Sequence, residues 1–197
     1  MSMQYSNNRN DYTTLSDAEF ANARVVKADT KEKMQSYHDM PPFSRTLWDG
    51  GNVILCPLKA DPTAEDFNNR LIEALKELPS RQAPYVVHCI EGKDRTGYVC
   101  ALLEGLCGAT YEEIVADYLI TYYNYFLLTP EKDPDVCNAL LSLRLNPCLM
   151  YYAGVSDETE LPNVDYAKAF CDYLLSHGMS RQQIDALIQA LTVNKKT

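Results

Sequence analysis

A chain of 197 residues, 46% hydrophobic and 23% charged, is long enough to bury a full core, and it reads as one domain spanning 1–197. Its formal net charge of −9 argues against nucleic acid or an anionic membrane surface as a general partner, because both require a basic face that neutralises phosphates. No run reaches the roughly 18 apolar residues of a membrane span, so stable membrane insertion is not expected.

The opening MSMQYSNNRND has neither the basic start nor the apolar segment of a signal peptide; as written the chain reads as cytoplasmic, with about 1–11 flexible. Seven cysteines, at 56, 89, 100, 107, 137, 148 and 171, form a scattered set without a C-x-x-C pair. That pattern suggests neither a disulfide framework nor a zinc site, and most of these thiols should be small buried hydrophobes.

Ser16 and Glu19 make a capping box that opens a helix; ARVVKAD follows as a short strand, TKEKMQSY as a second helix, and HDMPPFSRTLWDGG as a turn-rich loop. NVILCPL (52–58) is a continuous apolar run bounded by Gly-Gly and Pro, the look of a strand buried on both faces. TAEDFNNRLIEALKEL then places Phe67, Leu71, Leu75 and Leu78 at helical spacing behind a Thr63 cap, and APYVVHC gives a second buried strand. Strand, helix, strand implies a parallel pair with a right-handed crossover.

YVCALLEGLCG is apolar on nearly all sides and ends on Gly108, as a central buried helix would. Thr110 and Glu113 box the start of YEEIVADYLITYYNYF; PDVCNALLSLRL and NVDYAKAFCDYLLSHG are further helices, and Ser180 with Gln183 caps RQQIDALIQALT. The expected fold class is α/β, a small mainly parallel sheet flanked by helices, with a helical C-terminal half.

Between the second strand and the central helix lies HCIEGKDRTG (88–97). The C-x5-R spacing of Cys89 and Arg95 is weak evidence alone. Placed between a strand end and a helix N-terminus, it reads as an anion cradle, with backbone N–H groups and the positive end of the helix dipole converging on one point. A thiol there is deprotonated more easily, so Cys89 reads as a nucleophile. Arg95 offers a planar fork for two phosphoryl oxygens, Gly92 and Gly97 permit the tight loop, and Thr96 can donate its hydroxyl to the Cys89 sulfur. His88 should point away from Cys89 and orient the loop rather than move protons. Tyr118, Tyr122, Tyr123 and Tyr125 fit core and half-buried surface better than a substrate channel or lid.

This loop resembles the phosphate-binding loop of the cysteine-based protein tyrosine phosphatase superfamily, and the wider pattern from NNRNDY to the helical tail is similar to bacterial proteins assigned as tyrosine phosphatases. The resemblance implies a tyrosine/dual-specificity phosphatase-like fold, a phosphocysteine at Cys89, phosphate binding by Ile90, Glu91, Gly92, Lys93, Asp94 and Arg95, an aspartate acid, and no metal or other cofactor. Relatives carry extra N-terminal residues and sometimes an export signal, so export of a longer precursor is compatible with it. Lys93 resembles the lysine of three-position phosphoinositide phosphatases, and Asp94 before Arg95 resembles myotubularins and Sac-type lipid phosphatases.

The acid stays open between Asp61, which follows the neighbouring strand, and Asp94, inside the loop; Asp66 is third, since an acid in a first helical turn is usually a cap. Asp61 is also accounted for as a turn residue before Pro62, and Lys93 as a solvated loop charge. Glu91 adds negative charge beside the anion site, which fits a side chain turned to solvent or selection against very highly charged substrates. The expected activity is phosphomonoester hydrolysis, with phosphorylated protein as substrate, or alternatively a lipid or inositol phosphate. From other classes, a silent phospho-ligand binding module competes with it, as do a rhodanese-like sulfur transferase and an arsenate reductase with Cys100 or Cys107 resolving.

Overall fold

The computed structural model describes residues 46–47, 49–59, 61–81, 83–89 and 92–192. The Ser16–Glu19 box, the ARVVKAD strand and the TKEKMQSY helix lie outside the described residues. In the segment read as a loop before Gly50, Thr46, Leu47 and Asp49 are helical, and Gly50 N donates to Thr46 O across 3.0 Å.

Seven α-helices follow: α1 (Glu65–Glu77), α2 (Asp94–Leu106), α3 (Tyr111–Phe126), α4 (Pro134–Leu140), α5 (Asn146–Ala153), α6 (Tyr166–Ser176) and α7 (Arg181–Thr192). Short 3-10 turns occupy Leu78–Ser80 and Glu158–Asn163. α2 is the centre of the packing and touches α3, α5 and α6. Tyr98, Val99, Ala101, Leu102, Leu103 and Leu106 are buried over a broad face, and Cys100 and Glu104 on the remaining side are half-buried. Gly105 lets α6 come close; a Cβ there would collide with the Phe170 ring.

Two helix starts and one buried stripe behave as their residues dictate. Phe67, Leu71 and Leu75 of α1 and Leu78 beyond it are all buried. The Thr110–Glu113 capping box is fully formed, and Ser180 and Gln183 exchange the same reciprocal bonds. α1 differs: its N-cap is Ala64, and Thr63 instead bonds back to Asp61 through both its amide and its hydroxyl.

PDVCNALLSLRL continues further than its pattern suggested. A wide π turn (Leu141–Leu145) joins α4 to α5 just ahead of Pro147, whose missing N–H and ring disrupt the regular i→i−4 ladder.

The parallel sheet is not there: no strand exists among the described residues, and bridge pairing is confined to single residues, Leu55 and His88. Both apolar runs are extended, but each buries only alternate side chains. Ile54, Cys56 and Leu58 face the core, and Cys89 ends the second run inside it, whereas Val86 is 68% exposed. Prolines interrupt both runs at 57 and 84, removing ladder donors, and Leu58 N is used by Cys56 O across 2.9 Å. Apolar content therefore marked chain that is half-buried and extended, not a doubly covered sheet. The helical C-terminal half is as expected, and no helix among the described residues is long and apolar enough to cross a membrane.

Candidate active site

Cys89 closes the second extended segment with its residue 8% exposed, and five residues later α2 begins at Asp94. Gly92 adopts φ +67, a conformation that side-chain-bearing residues rarely take, and so turns the loop into the helix. No side chain caps α2 at Lys93, so its first-turn amides are not taken up by a cap. Gly97 N closes the first turn onto Lys93 O at 2.8 Å.

Burial alone would push the Cys89 thiol up. Its pKa is nevertheless held below the ordinary 9.0, because the Thr96 hydroxyl and amide, the Lys93 amide and the Arg95 charge all favour the thiolate. The buried Thr96 hydroxyl has no conventional hydrogen-bond partner; its interaction is with this sulfur. Cys100, one helix face away, is raised to about 12 by burial and by the carboxylates of Glu104 and Asp117, and Cys56 is raised to about 12 by burial. Neither has the donors that favour the thiolate at Cys89.

Arg95 is anchored from the first extended segment. Its Nη1 donates to the Leu58 carbonyl at 3.3 Å, so the chain turn at Pro57 and Leu58 orients the guanidinium. His88 is exposed, and its Nδ1 lies 3.2 Å from the Cys89 carbonyl oxygen, in keeping with a loop-orienting residue. Lys93 Nζ stands 5.7 Å from the Tyr122 ring centroid and 5.5 Å from that of Phe126.

Asp94 and Asp61 sit in different settings. Asp94 is half-buried in the first turn of α2 and accepts a 3.1 Å hydrogen bond from Tyr122. Asp61 is exposed, and its Oδ1 accepts from Thr63 N at 2.9 Å and Thr63 Oγ1 at 2.7 Å; those bonds hold its carboxyl below the usual range. Asp66 pairs with Arg70 at 2.9 Å within α1. Thus Cys89, Lys93, Asp94, Arg95 and Thr96 come together on one loop and helix start, while Asp61 forms its own turn. Ile90 and Glu91 lie outside the described residues.

Two contributors escaped the sequence reading of the loop. One is the Leu58 carbonyl, which no side-chain pattern reveals. The other is the inner face of α3, where Tyr118 and Tyr122, four residues apart, are buried while Tyr123 and Tyr125 are exposed. The Tyr118 ring occupies the space that a Cβ on Gly97 would need, 2.5 Å away.

The chain's residues 7–192 match the family model described as the tyrosine phosphatase family. The chain belongs to the tyrosine phosphatase family. A comparison with curated proteins finds no match. In this tyrosine phosphatase domain, a thiol whose thiolate is favoured, beside a helix N-terminus and a guanidinium, is chemically suited to attack on a phosphoryl group.

Proposed function

We propose that the protein hydrolyses phosphomonoesters through a phosphocysteine at Cys89, with phosphotyrosine on protein as its substrate. The observation that carries this reading is the thiol held below its ordinary pKa by Thr96, Lys93 and Arg95 at the start of α2. The Cys89 sulfur attacks phosphorus in line as the ester P–O bond breaks. Arg95 and the first-turn amides bind the equatorial oxygens throughout, stabilising charge as it spreads in the transition state. The leaving oxygen takes a proton from Asp94. Water then attacks phosphorus, gives a proton to the Asp94 carboxylate, and the S–P bond breaks with the Thr96 hydroxyl stabilising the departing thiolate.

Asp94 is preferred to Asp61 as the acid because it shares the helix turn of Arg95, whereas the Asp61 carboxylate is committed to Thr63 in an exposed turn. No metal or cofactor enters this scheme. A second substrate reading, a lipid or inositol phosphate, is favoured by the Lys93 ammonium held on Tyr122 and Phe126, next to the exposed apolar Tyr125 and Leu127.

Phosphate release from phosphotyrosine peptides, phosphoinositides, inositol hexakisphosphate and an aryl phosphate, by the native chain and by Cys89→Ser, tests all of this. Release that depends on Cys89 and is fastest from the peptides is expected. Faster release from the inositol compounds, slowed most by Lys93→Met, moves the substrate to the second class. Absence of Cys89-dependent release from every substrate overturns the enzyme reading, and retained phosphopeptide binding in that case identifies a binding module.

A further inference from the structure

The acid step leaves a question that the loop alone does not answer, namely what keeps Asp94 turned toward chemistry. An aspartate in the first turn of a helix is ordinarily drawn to the helix's own amides and dipole. Asp94 instead meets a phenol from α3, 28 residues along the chain: Tyr122 Oη lies 3.1 Å from Asp94 Oδ1. Tyr118 Oη lies 3.1 Å from Tyr122 Oη, and the two rings are 5.4 Å apart.

The direction of this chain follows from donor counting. The Tyr122 hydroxyl donates to Asp94 Oδ1, so its single proton is spent there, and Tyr118 must then donate to the Tyr122 oxygen. Both phenols keep their protons: burial raises Tyr118 and Tyr122 above the ordinary tyrosine value, and the Asp94 charge adds to this. Tyr118 is fixed in turn by its ring against Gly97.

We propose that Tyr122 is a positioning residue for Asp94, its phenol occupying Oδ1 so that the transferable proton resides on Oδ2. The proposal rests on the reading of Asp94 as the acid. Tyr122 transfers no proton itself. Its ring meanwhile carries Lys93, so one side chain of α3 sets the charged neighbours on both sides of the loop's final turn, and its hydroxyl can be removed without the ring.

The test compares the full chain with its Tyr122→Phe, Tyr118→Phe, Asp94→Asn and Asp94→Asn/Tyr122→Phe variants on phenyl phosphate, a poor leaving group, and p-nitrophenyl phosphate, a good one. Removing an acid costs about 10²–10⁴-fold where the leaving group needs protonation. Tyr122→Phe is expected to lower kcat about tenfold on phenyl phosphate, as for a lost hydrogen bond to a charged group, with a clearly smaller loss on p-nitrophenyl phosphate and KM kept. Tyr118→Phe should follow in the same direction with a smaller loss. In the Asp94→Asn background, Tyr122→Phe should add nothing.

Equal losses on the two substrates, or a further loss in the double variant, overturn the positioning role. So does leaving-group dependence in Asp94→Asn with none in Tyr122→Phe, and the acid assignment then stands. If Asp94→Asn itself shows no leaving-group dependence, the acid assignment fails before Tyr122 is considered.

Discussion

Gly97 and Tyr118 occupy one another's space: a Cβ on Gly97 would sit 2.5 Å from Tyr118 Cε2 and 2.6 Å from its Cδ2. The contact joins the first turn of α2, which carries Arg95 and Thr96, to the inner face of α3. Loop and tyrosine pair are therefore mechanically one unit, and the glycine is required by the ring rather than by its backbone angles.

Gly97→Ala is expected to cost about 1–3 kcal/mol by overpacking, read by urea unfolding, and to lower kcat of the folded protein because Arg95 and Thr96 shift with it. Gly105→Ala provides the contrast, since its added carbon, far along α2 from the loop, collides with the Phe170 ring of α6. It should lose comparable stability with kcat kept. Equal effects of the two substitutions on kcat would show that the Gly97–Tyr118 contact does not reach the loop.

The Cys89 thiol should be alkylated by iodoacetamide with a midpoint below pH 9.0, because thiolate is the reacting form and its pKa is depressed. Thr96→Ala removes a donor to sulfur and Arg95→Ala removes the charge, so each moves the midpoint upward and slows labelling at pH 7. Cys100 and Cys56, both at about 12, should stay unlabelled at that pH in the folded protein. Labelling of Cys89 with a midpoint at or above 9.0 would contradict the cradle.

What the sequence made legible was the chemistry that is local along the chain. Thr110–Glu113, Ser180–Gln183 and the Phe67–Leu71–Leu75 stripe each specify an element through residues at most a few turns apart. Cys89, Arg95 and Thr96, which the structure brings together as a candidate site, are local in the same way. NVILCPL and APYVVHC misled because apolarity reports burial and not hydrogen-bond partners: Val86 faces outward, and Leu58 bonds two residues back instead of across. Tyr122–Asp94 and Arg95–Leu58 join positions 28 and 37 residues apart, so only the folded chain discloses them.

Leu127 ends α3 in the left-handed region at φ 58 with its N–H on Tyr123 O at 2.8 Å, the arrangement that glycine usually supplies. Its side chain is 70% exposed, so little packing is lost by removing it. Leu127→Gly is expected to stabilise the protein by about 1 kcal/mol, the left-handed strain of a non-glycine residue being of that order. Thermal unfolding with a lowered midpoint would contradict this.

Glu104 on α2 and Asp117 on α3 hydrogen-bond to one another at the face that joins those helices. Burial first, then the Asp117 charge and that bond, raise the Glu104 carboxyl to about 7 from 4.5. The sign follows from linkage: with the folded value above the unfolded one, the folded state holds the extra proton, so this contribution to stability is fully present below pH 4.5 and is lost as pH rises through about 7. Because the site is only half-buried, screening reduces the loss to about 1–2 kcal/mol. Glu104→Gln copies the protonated form and should unfold at nearly the same urea concentration at pH 5 and pH 8, where the native chain weakens across that interval. A Glu104→Gln variant that weakens as steeply as the native chain would locate the pH dependence elsewhere.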